Sequence, residues 1–182
     1  FLLVGAGVVL LALPLMWFLL ATYQKERVLT FLDPSLDPAG KGYNSLQSMI
    51  TVGSGKLLGR GLGKGVQTQL SFLPERHTDF IFASVAEELG LIGAIFLLVV
   101  IFSLLLRLTT FMQNAQSPAA RAYLAGLFLT LFVQTIIHVG MNMGLLPITG
   151  VPLPLVSSGG SSFLATMMGL AIALRARKQI VP

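Results

Sequence analysis

Long apolar stretches separated by polar segments dominate this chain, and their lengths predict membrane-spanning helices. A helix crosses the hydrocarbon of a bilayer with about 17 to 25 apolar residues. Four stretches are long enough: residues 1–22, 80–106, 122–141 and 155–174. The pattern predicts an all-α integral membrane protein with four transmembrane helices. Because the sequence opens within an apolar stretch and without methionine, we expect it to be part of a larger bundle.

Basic residues in the short loops predict the orientation of these spans, since such residues concentrate on the cytoplasmic side. Arg107 and Arg121 lie between the second and third spans, and further basic residues follow the fourth, in a tail of residues 175–182. Both segments should be cytoplasmic, so residues 23–79 should form a large outer loop. That loop holds seven Lys and Arg against five Asp and Glu, but long loops are largely exempt from the rule.

The predicted outer loop is too long to be a plain connector and contains its own elements. Asn44–Val52 has the pattern of a short amphipathic helix, with Leu46, Met49 and Ile50 on its apolar side. We therefore expect an organised loop rather than a disordered one.

A glycine-rich segment at residues 53–65, called here the glycine loop, follows that helix. Its six glycines are interspersed with Lys56, Arg60 and Lys64, so backbone N–H groups and cations can approach phosphate closely. Neither the P-loop spacing nor a GxGxxG register is met, so no nucleotide site is predicted. Two interpretations stay open: a flexible hinge lying on anionic headgroups, or a loop that handles pyrophosphate.

A run of ionisable residues, Glu75 to Asp79, abuts the second span in a chain in which only 10% of residues are charged. Ionisable side chains at the mouth of a span usually face a cavity. Helical spacing places Asp79 above a groove of small side chains that includes Ala83 and Gly90. The same spacing makes Glu87 the acid most able to share a site with Asp79.

Several roles are open for these residues. Asp79 can act as a general base or bind a cation, and either Thr78 or Asp79 can simply cap the helix. His77 can orient Asp79, bind substrate or lie at the surface.

Two polar features lie within the later spans. One helix face carries a polar stripe that recurs every fourth residue: Thr130, Gln134, His138 and Asn142. This stripe should face the bundle interior. Hydrogen bonding between helices is favoured over direct substrate contact as its role. Three prolines and a Ser/Gly cluster in residues 146–162 predict a broken entry to the fourth span.

Composition supports a membrane protein and excludes several other classes. The chain has 54% hydrophobic residues, a mean hydropathy of +0.83 and no cysteine, so neither a disulfide framework nor a thiolate zinc site is possible. The net charge of +5 is scattered through loops without interleaved aromatics. Membrane lipids or a phosphorylated substrate are therefore expected partners, and nucleic acid is not. No cofactor is assigned, and a divalent cation stays an open possibility.

Several motifs occur in an order that carries a family resemblance. The chain resembles the C-terminal portion of the shape, elongation, division and sporulation (SEDS) family, which contains RodA, FtsW and SpoVE. Arg76 is more similar to the elongation branch than to the division branch. The motifs are Phe31-Leu-Asp-Pro34, Gln47-Ser48 with the glycine loop, Leu73 to Phe82, Glu87-Glu-Leu-Gly90 and Val151 to Ser162.

The resemblance implies a bundle of about ten spans and a peptidoglycan glycosyltransferase. Such an enzyme polymerises lipid II at the outer face of the bacterial cytoplasmic (inner) membrane, during cell-wall elongation and cell-shape maintenance, beside a class B penicillin-binding protein. The family's essential outer-loop aspartate corresponds to Asp79, as general base. The remaining candidates for binding the undecaprenyl-diphosphate-linked substrate are Lys56, Arg60, Lys64, Glu75, Arg76, His77 and Thr78.

Two other functions remain as alternatives: a transporter (flippase) for the lipid-linked precursor, and a non-catalytic membrane partner of a penicillin-binding protein. Because four spans are fewer than the family's number, we expect this segment alone to be inactive.

Overall fold

The described residues form helices and short turns, with no strand among them. A computed structural model describes residues 18–38, 40–69, 73 and 75–177, so most of the predicted first span, residues 1–17, lies outside the described part, as do residues 178–182 of the predicted tail. The elements are α1 (Thr22–Leu32), a 3-10 turn (Pro34–Leu36), α2 (Lys41–Ser54), α3 (Val66–Gln69), α4 (Ile81–Asn114), α5 (Pro118–Asn142) and α6 (Gly160–Arg177).

Two of the described helices, α4 and α5, are long and apolar enough to cross a membrane. The helix α4 continues past residue 106 to Asn114, and α5 begins at Pro118, where the Ser117 side chain caps it. The apolar part of α6, Gly160–Ala176, is shorter, because residues 143–159 before it are irregular. The all-helical prediction is confirmed for the described residues, while the count of four spans stays a prediction.

The main apolar contact joins α4 to α5. Buried residues of α4, among them Leu105 and Leu108, pack against Leu124 and Leu131 of α5. Lipid chains are as apolar as leucine, so inside a bilayer this contact stabilises the pair through close packing rather than through removal of leucine from water. The opposite side of α4 exposes large apolar groups such as Phe96, which is 69% exposed, as expected of a surface that faces lipid.

The helix α4 is interrupted at Gly90, whose backbone (φ 69°, ψ −170°) is not helical. The glycine loop fills the interruption. The carbonyls of Glu87 and Glu88 accept hydrogen bonds from the N–H groups of Arg60 (3.0 Å) and Gly61 (3.0 Å). In return, Leu91 N–H donates to the carbonyl of Lys56 (2.9 Å). Backbone groups freed by the break are thus paired inside the protein, which makes an interrupted helix tolerable in a membrane.

Only glycine fits at this break. A Cβ on Gly90 would overlap the backbone nitrogen of Gly59 and the carbonyl of Leu57, and the left-handed φ also disfavours any other residue. The glycine loop therefore packs tightly against α4 at this interruption.

The predicted amphipathic helix Asn44–Val52 lies within α2, and its buried side is the polar one. Ser48 and Thr51 are fully buried, whereas Leu46 and Ile50 are 46% and 54% exposed. Small hydroxyl residues let α2 approach α4 and α5 closely, and the Ser48 hydroxyl donates to the backbone carbonyl of Asn142 (3.0 Å). The outward apolar side suits an apolar environment better than water.

Candidate functional site

Asp79 lies in a tight turn that precedes α4. The N–H groups of Thr78 and Asp79 both donate to the carbonyl of Glu75 (3.1 Å each). The Thr78 hydroxyl also donates to the Glu75 carboxylate (2.9 Å). Glu75 and Thr78, two of the predicted substrate-binding residues, therefore bind each other and shape the turn that presents Asp79.

Three side chains from later in the chain hold the backbone of this turn. Each donates a hydrogen bond to one of three consecutive carbonyl groups. The pairs are Ser158 Oγ to His77 (2.8 Å), Ser157 Oγ to Thr78 (2.8 Å) and Asn142 Nδ2 to Asp79 (3.1 Å). Because α5 and the segment before α6 supply these donors, the position of the Asp79 backbone is set by the packed bundle.

Asn142, at the end of α5, is the centre of this arrangement and is fully buried. Its Oδ1 accepts from the N–H of Ala83 (3.2 Å) in the first turn of α4, and its Nδ2 also donates to the carbonyl of His138 (2.8 Å). Asn142 thereby satisfies an otherwise unpaired N–H at the start of α4. The N-cap position itself is Phe80, without a side-chain cap, so the alternative that Thr78 or Asp79 caps the helix is wrong.

The carboxylate of Asp79 remains free of protein hydrogen bonds among the described residues, and it is half-buried. Its pKa is raised, first by burial and then by the negative charge of Glu75, while the Arg27 guanidinium opposes both effects. Gly150 lies close by, since a Cβ there would be 3.3 Å from Asp79 Oδ2. A partly desolvated carboxylate with a raised pKa and no competing partner is suited to accepting a proton.

In the described part of the chain, neither Arg76 nor His77 forms a hydrogen bond with the Asp79 carboxylate. Arg76 Nε donates to His77 Nε2 (3.1 Å), and an Arg76 Nη1 hydrogen bond reaches the carbonyl of Thr68. Arg76 therefore ties the turn before α4 to α3. His77 is exposed, and in the described part of the chain its imidazole is hydrogen-bonded to Arg76 and not to the Asp79 carboxylate. Of the three roles left open for His77, orienting Asp79 is therefore not supported.

The cations of the glycine loop form a separate group at the interruption of α4. Arg60 Nε lies 3.9 Å from Glu87 Oε1, and Lys56 and Lys64 are exposed. A helix rises about 1.5 Å per residue, so Gly90 lies on the order of 15 Å along α4 from Asp79. Lys56, Arg60 and Lys64 are therefore not brought beside Asp79.

Glu87 anchors α3, the short helix that directly follows the glycine loop, a role that sequence reasoning missed. It is fully buried, and its carboxylate accepts from the backbone N–H groups of Gln67 (3.0 Å) and Thr68 (3.0 Å) and from the Thr68 hydroxyl (2.5 Å). Helical spacing makes Glu87 the acid most able to share a site with Asp79, but its carboxylate is occupied by these donors instead. The signal that was present is an acid directly before a long apolar run, which usually marks a paired or functional group.

Metal binding receives no direct support from the geometry. Among residues 18–38, 40–69, 73 and 75–177, no three or more His, Asp or Glu side chains are grouped so that they could hold an ion. Asp79 has Glu75 as its acidic neighbour, and Thr78 already occupies the Glu75 carboxylate.

Together, two helices long and apolar enough to cross a membrane and an acid held just before one of them indicate a membrane protein with a candidate site at the end of a span. Comparison with known proteins narrows this class. The family model of cell cycle proteins that covers FtsW, RodA and SpoVE matches residues 1–180. The chain belongs to that family, and the predicted resemblance is confirmed.

Named relatives and a solved structure agree with this assignment. The chain is 49% identical over 175 residues to the peptidoglycan glycosyltransferase MrdB of Escherichia coli K12, covering 94% of this chain and 47% of the relative. It is 41% identical over 170 residues to a probable peptidoglycan glycosyltransferase FtsW of Geobacter metallireducens, covering 92% and 45%.

A chain in a solved structure that concerns polymerization and crosslinking by a peptidoglycan synthase complex is 36% identical, with a TM-score of 0.75. That match covers 98% of this chain and 49% of the other. The chain thus spans about half the length of the relatives it matches.

Proposed function

We propose that the full-length protein is a peptidoglycan glycosyltransferase that polymerises lipid II during cell-wall elongation, with Asp79 as general base. The relatives named peptidoglycan glycosyltransferases support the reaction class. The observation that carries the role of Asp79 is the contrast between its backbone carbonyl, held by Asn142, and its carboxylate, which accepts no hydrogen bond from a described residue. A base needs this combination of fixed position and free oxygen atoms.

In the proposed reaction, the Asp79 carboxylate takes the proton from a hydroxyl of the acceptor sugar. The hydroxyl oxygen attacks the anomeric carbon of the donor sugar, and undecaprenyl diphosphate leaves with the electron pair of the broken bond. The raised pKa of Asp79, caused mainly by burial, makes its carboxylate a stronger base than an exposed aspartate. The reaction would take place at the outer face of the cytoplasmic membrane, as the predicted topology requires.

The glycine loop is proposed to bind the diphosphate of the acceptor lipid. An acceptor's reacting hydroxyl is separated from its own diphosphate by the length of a disaccharide. The glycine loop carries Lys56, Arg60 and Lys64 and lies at the interruption of α4. Its distance from Asp79, on the order of 15 Å along the helix, is comparable to that length. Cations and backbone N–H groups in a glycine-rich segment suit phosphate oxygens.

The solved structure's subject, a peptidoglycan synthase complex, supports a class B penicillin-binding protein as the proposed partner. The purified full-length protein, alone and with that partner, is expected to convert lipid II to glycan polymer, visible as a ladder on gels. If lipid II instead crosses vesicle membranes without any polymer appearing, the precursor-transport alternative replaces this proposal.

Asn142 is proposed to act as a positioning residue. We expect Asn142→Ala in the full-length protein to lower kcat by about 10- to 100-fold with little change in KM, because the Asp79 carbonyl and the Ala83 N–H lose their partner. Steady-state polymerisation rates separate kcat from KM. The control is Gln134→Ala, which removes an amide from the same helix face two turns away. An equal loss of activity in both variants would argue against the positioning role.

A further inference from the structure

The residues that line a small pocket near Asp79 include two cations and no acid. Arg27 from α1 and Lys41 from α2 line it, together with the hydroxyl residues Thr30 and Ser45, and residues 147–148 close one side. In the part of the chain that the structure describes, the ion pair is between Arg60 and Glu87, and neither pocket cation takes part in one. Two cations side by side repel each other unless an anion lies between them.

The donors of this pocket are only partly used. Arg27 Nη1 donates to the carbonyl of Thr149 (3.2 Å), but its Nε is buried and has no hydrogen-bond partner among the described residues. The nearby acid Asp37 accepts from the backbone N–H of Lys41 (2.7 Å), which leaves the ammonium group free. A buried guanidinium N–H without a protein acceptor is costly, so this pocket is suited to a ligand that supplies one.

The pocket lies beside the proposed base. The positive charge of Arg27 acts on the Asp79 carboxylate and partly offsets burial and the charge of Glu75, which together raise the pKa of Asp79. Arg27 also holds Thr149, the residue next to Gly150, which faces Asp79 Oδ2. An anion bound to Arg27 would therefore sit close to the atoms that react.

We propose that the Arg27–Lys41 pocket binds the phosphate groups of the diphosphate that departs from the donor sugar. This proposal rests on the proposed glycosyl transfer, in which the leaving group is attached to the carbon under attack and must lie near Asp79. The glycine loop is too far along α4 to serve that group. A guanidinium, an ammonium and two hydroxyls offer more donors than the two oxygens of a carboxylate can use, which favours phosphate.

The charges balance through the step. A bond forms between the acceptor oxygen and the donor anomeric carbon, and the bond between that carbon and the diphosphate oxygen breaks. The proton passes to Asp79, and the negative charge that develops on the diphosphate is stabilised by Arg27 and Lys41. Stabilising charge where it develops is what lowers the barrier of such a step.

The experiment uses the full-length protein and the variant Lys41→Gln. Polymerisation of lipid II is expected to lose roughly 10-fold in kcat/KM, and inorganic pyrophosphate should bind about 10-fold more weakly by calorimetry. Lys41→Arg should restore both. The control is Lys25→Gln, which removes a positive charge from α1 at a residue that does not line the pocket.

The outcomes separate the two proposals. If pyrophosphate binds wild type and Lys41→Gln equally, or does not bind wild type, the pocket assignment is overturned whatever the activity. If pyrophosphate binding depends on Lys41 but wild type forms no polymer, the glycosyltransferase proposal fails and an anion site remains. Assays in vesicles with and without phosphatidylglycerol test the other phosphate source. A defect seen only with this anionic lipid would assign the pocket to a lipid headgroup instead.

Discussion

Replacing Asp79 with asparagine in the full-length protein is expected to reduce kcat for lipid II polymerisation by roughly 10²- to 10⁴-fold. The amide keeps the size of the side chain but cannot accept the proton of the acceptor hydroxyl. The fold should survive, because the bundle holds this residue through its backbone carbonyl, which Asn142 binds, and its side chain caps no helix. Initial rates with purified enzyme and saturating lipid II measure the loss.

The matched control is Glu26→Gln, which makes the same acid-to-amide change at an exposed position of α1. It should polymerise at the wild-type rate. Wild-type polymerisation by Asp79→Asn would show that another group accepts the proton. Transport of lipid II by Asp79→Asn, with polymer lost, would agree with the base role, since movement of a lipid requires no proton abstraction.

The membrane-length helices could be predicted because hydrocarbon thickness sets a length that the sequence must match. Apart from Phe80, which is the N-cap of α4, the apolar stretches 80–106 and 122–141 lie within α4 and α5. Composition predicts the ends of these helices less accurately. The helix α4 continues to Asn114, since polar residues such as Arg107 and Thr109 suit a helix that has left the apolar region as well as they suit a loop.

The interruption of α4 could not be predicted in the same way. A single glycine in an apolar run is compatible with a continuous helix, and Gly90 breaks it only because the glycine loop supplies partners for the freed backbone groups. Those partners lie about thirty residues earlier in the chain, and local pattern carries no information about such pairing. Local pattern also fails for α2. Its polar side is buried because the Ser48 hydroxyl donates a hydrogen bond to the backbone carbonyl of Asn142 in α5.

The candidate site, like the fold, could be predicted from the sequence only in part. Asp79 stood out because charge beside an apolar span is rare, and the spacing of Asn142 indicated the bundle interior. That Asn142 reaches the carbonyl of Asp79 depends on how α5 packs on α4, which no spacing within α5 reveals. Ser157 was visible only as part of a Ser/Gly cluster, although its hydroxyl binds the carbonyl of Thr78.

Replacing Glu87 with alanine is expected to destabilise the full-length protein by about 3 kcal/mol, because several buried donors would lose their acceptor together. The backbone N–H groups of Gln67 and Thr68 and the Thr68 hydroxyl all bind this carboxylate. Arg60 would also lose the negative charge 3.9 Å from its Nε. Thermal unfolding in detergent measures the stability, and hydrogen exchange of residues 56–69 measures the order of the glycine loop and of α3 after it.

Glu88→Ala provides a strict control, since it makes the same change one residue further along α4 at a half-exposed side chain. Its backbone carbonyl, which binds Gly61, is retained in the variant. Only Glu87→Ala should speed exchange in the glycine loop and α3. If both variants unfold at the wild-type temperature, the backbone pairing at the Gly90 interruption is sufficient by itself, and the buried carboxylate is not what anchors α3 and the loop before it.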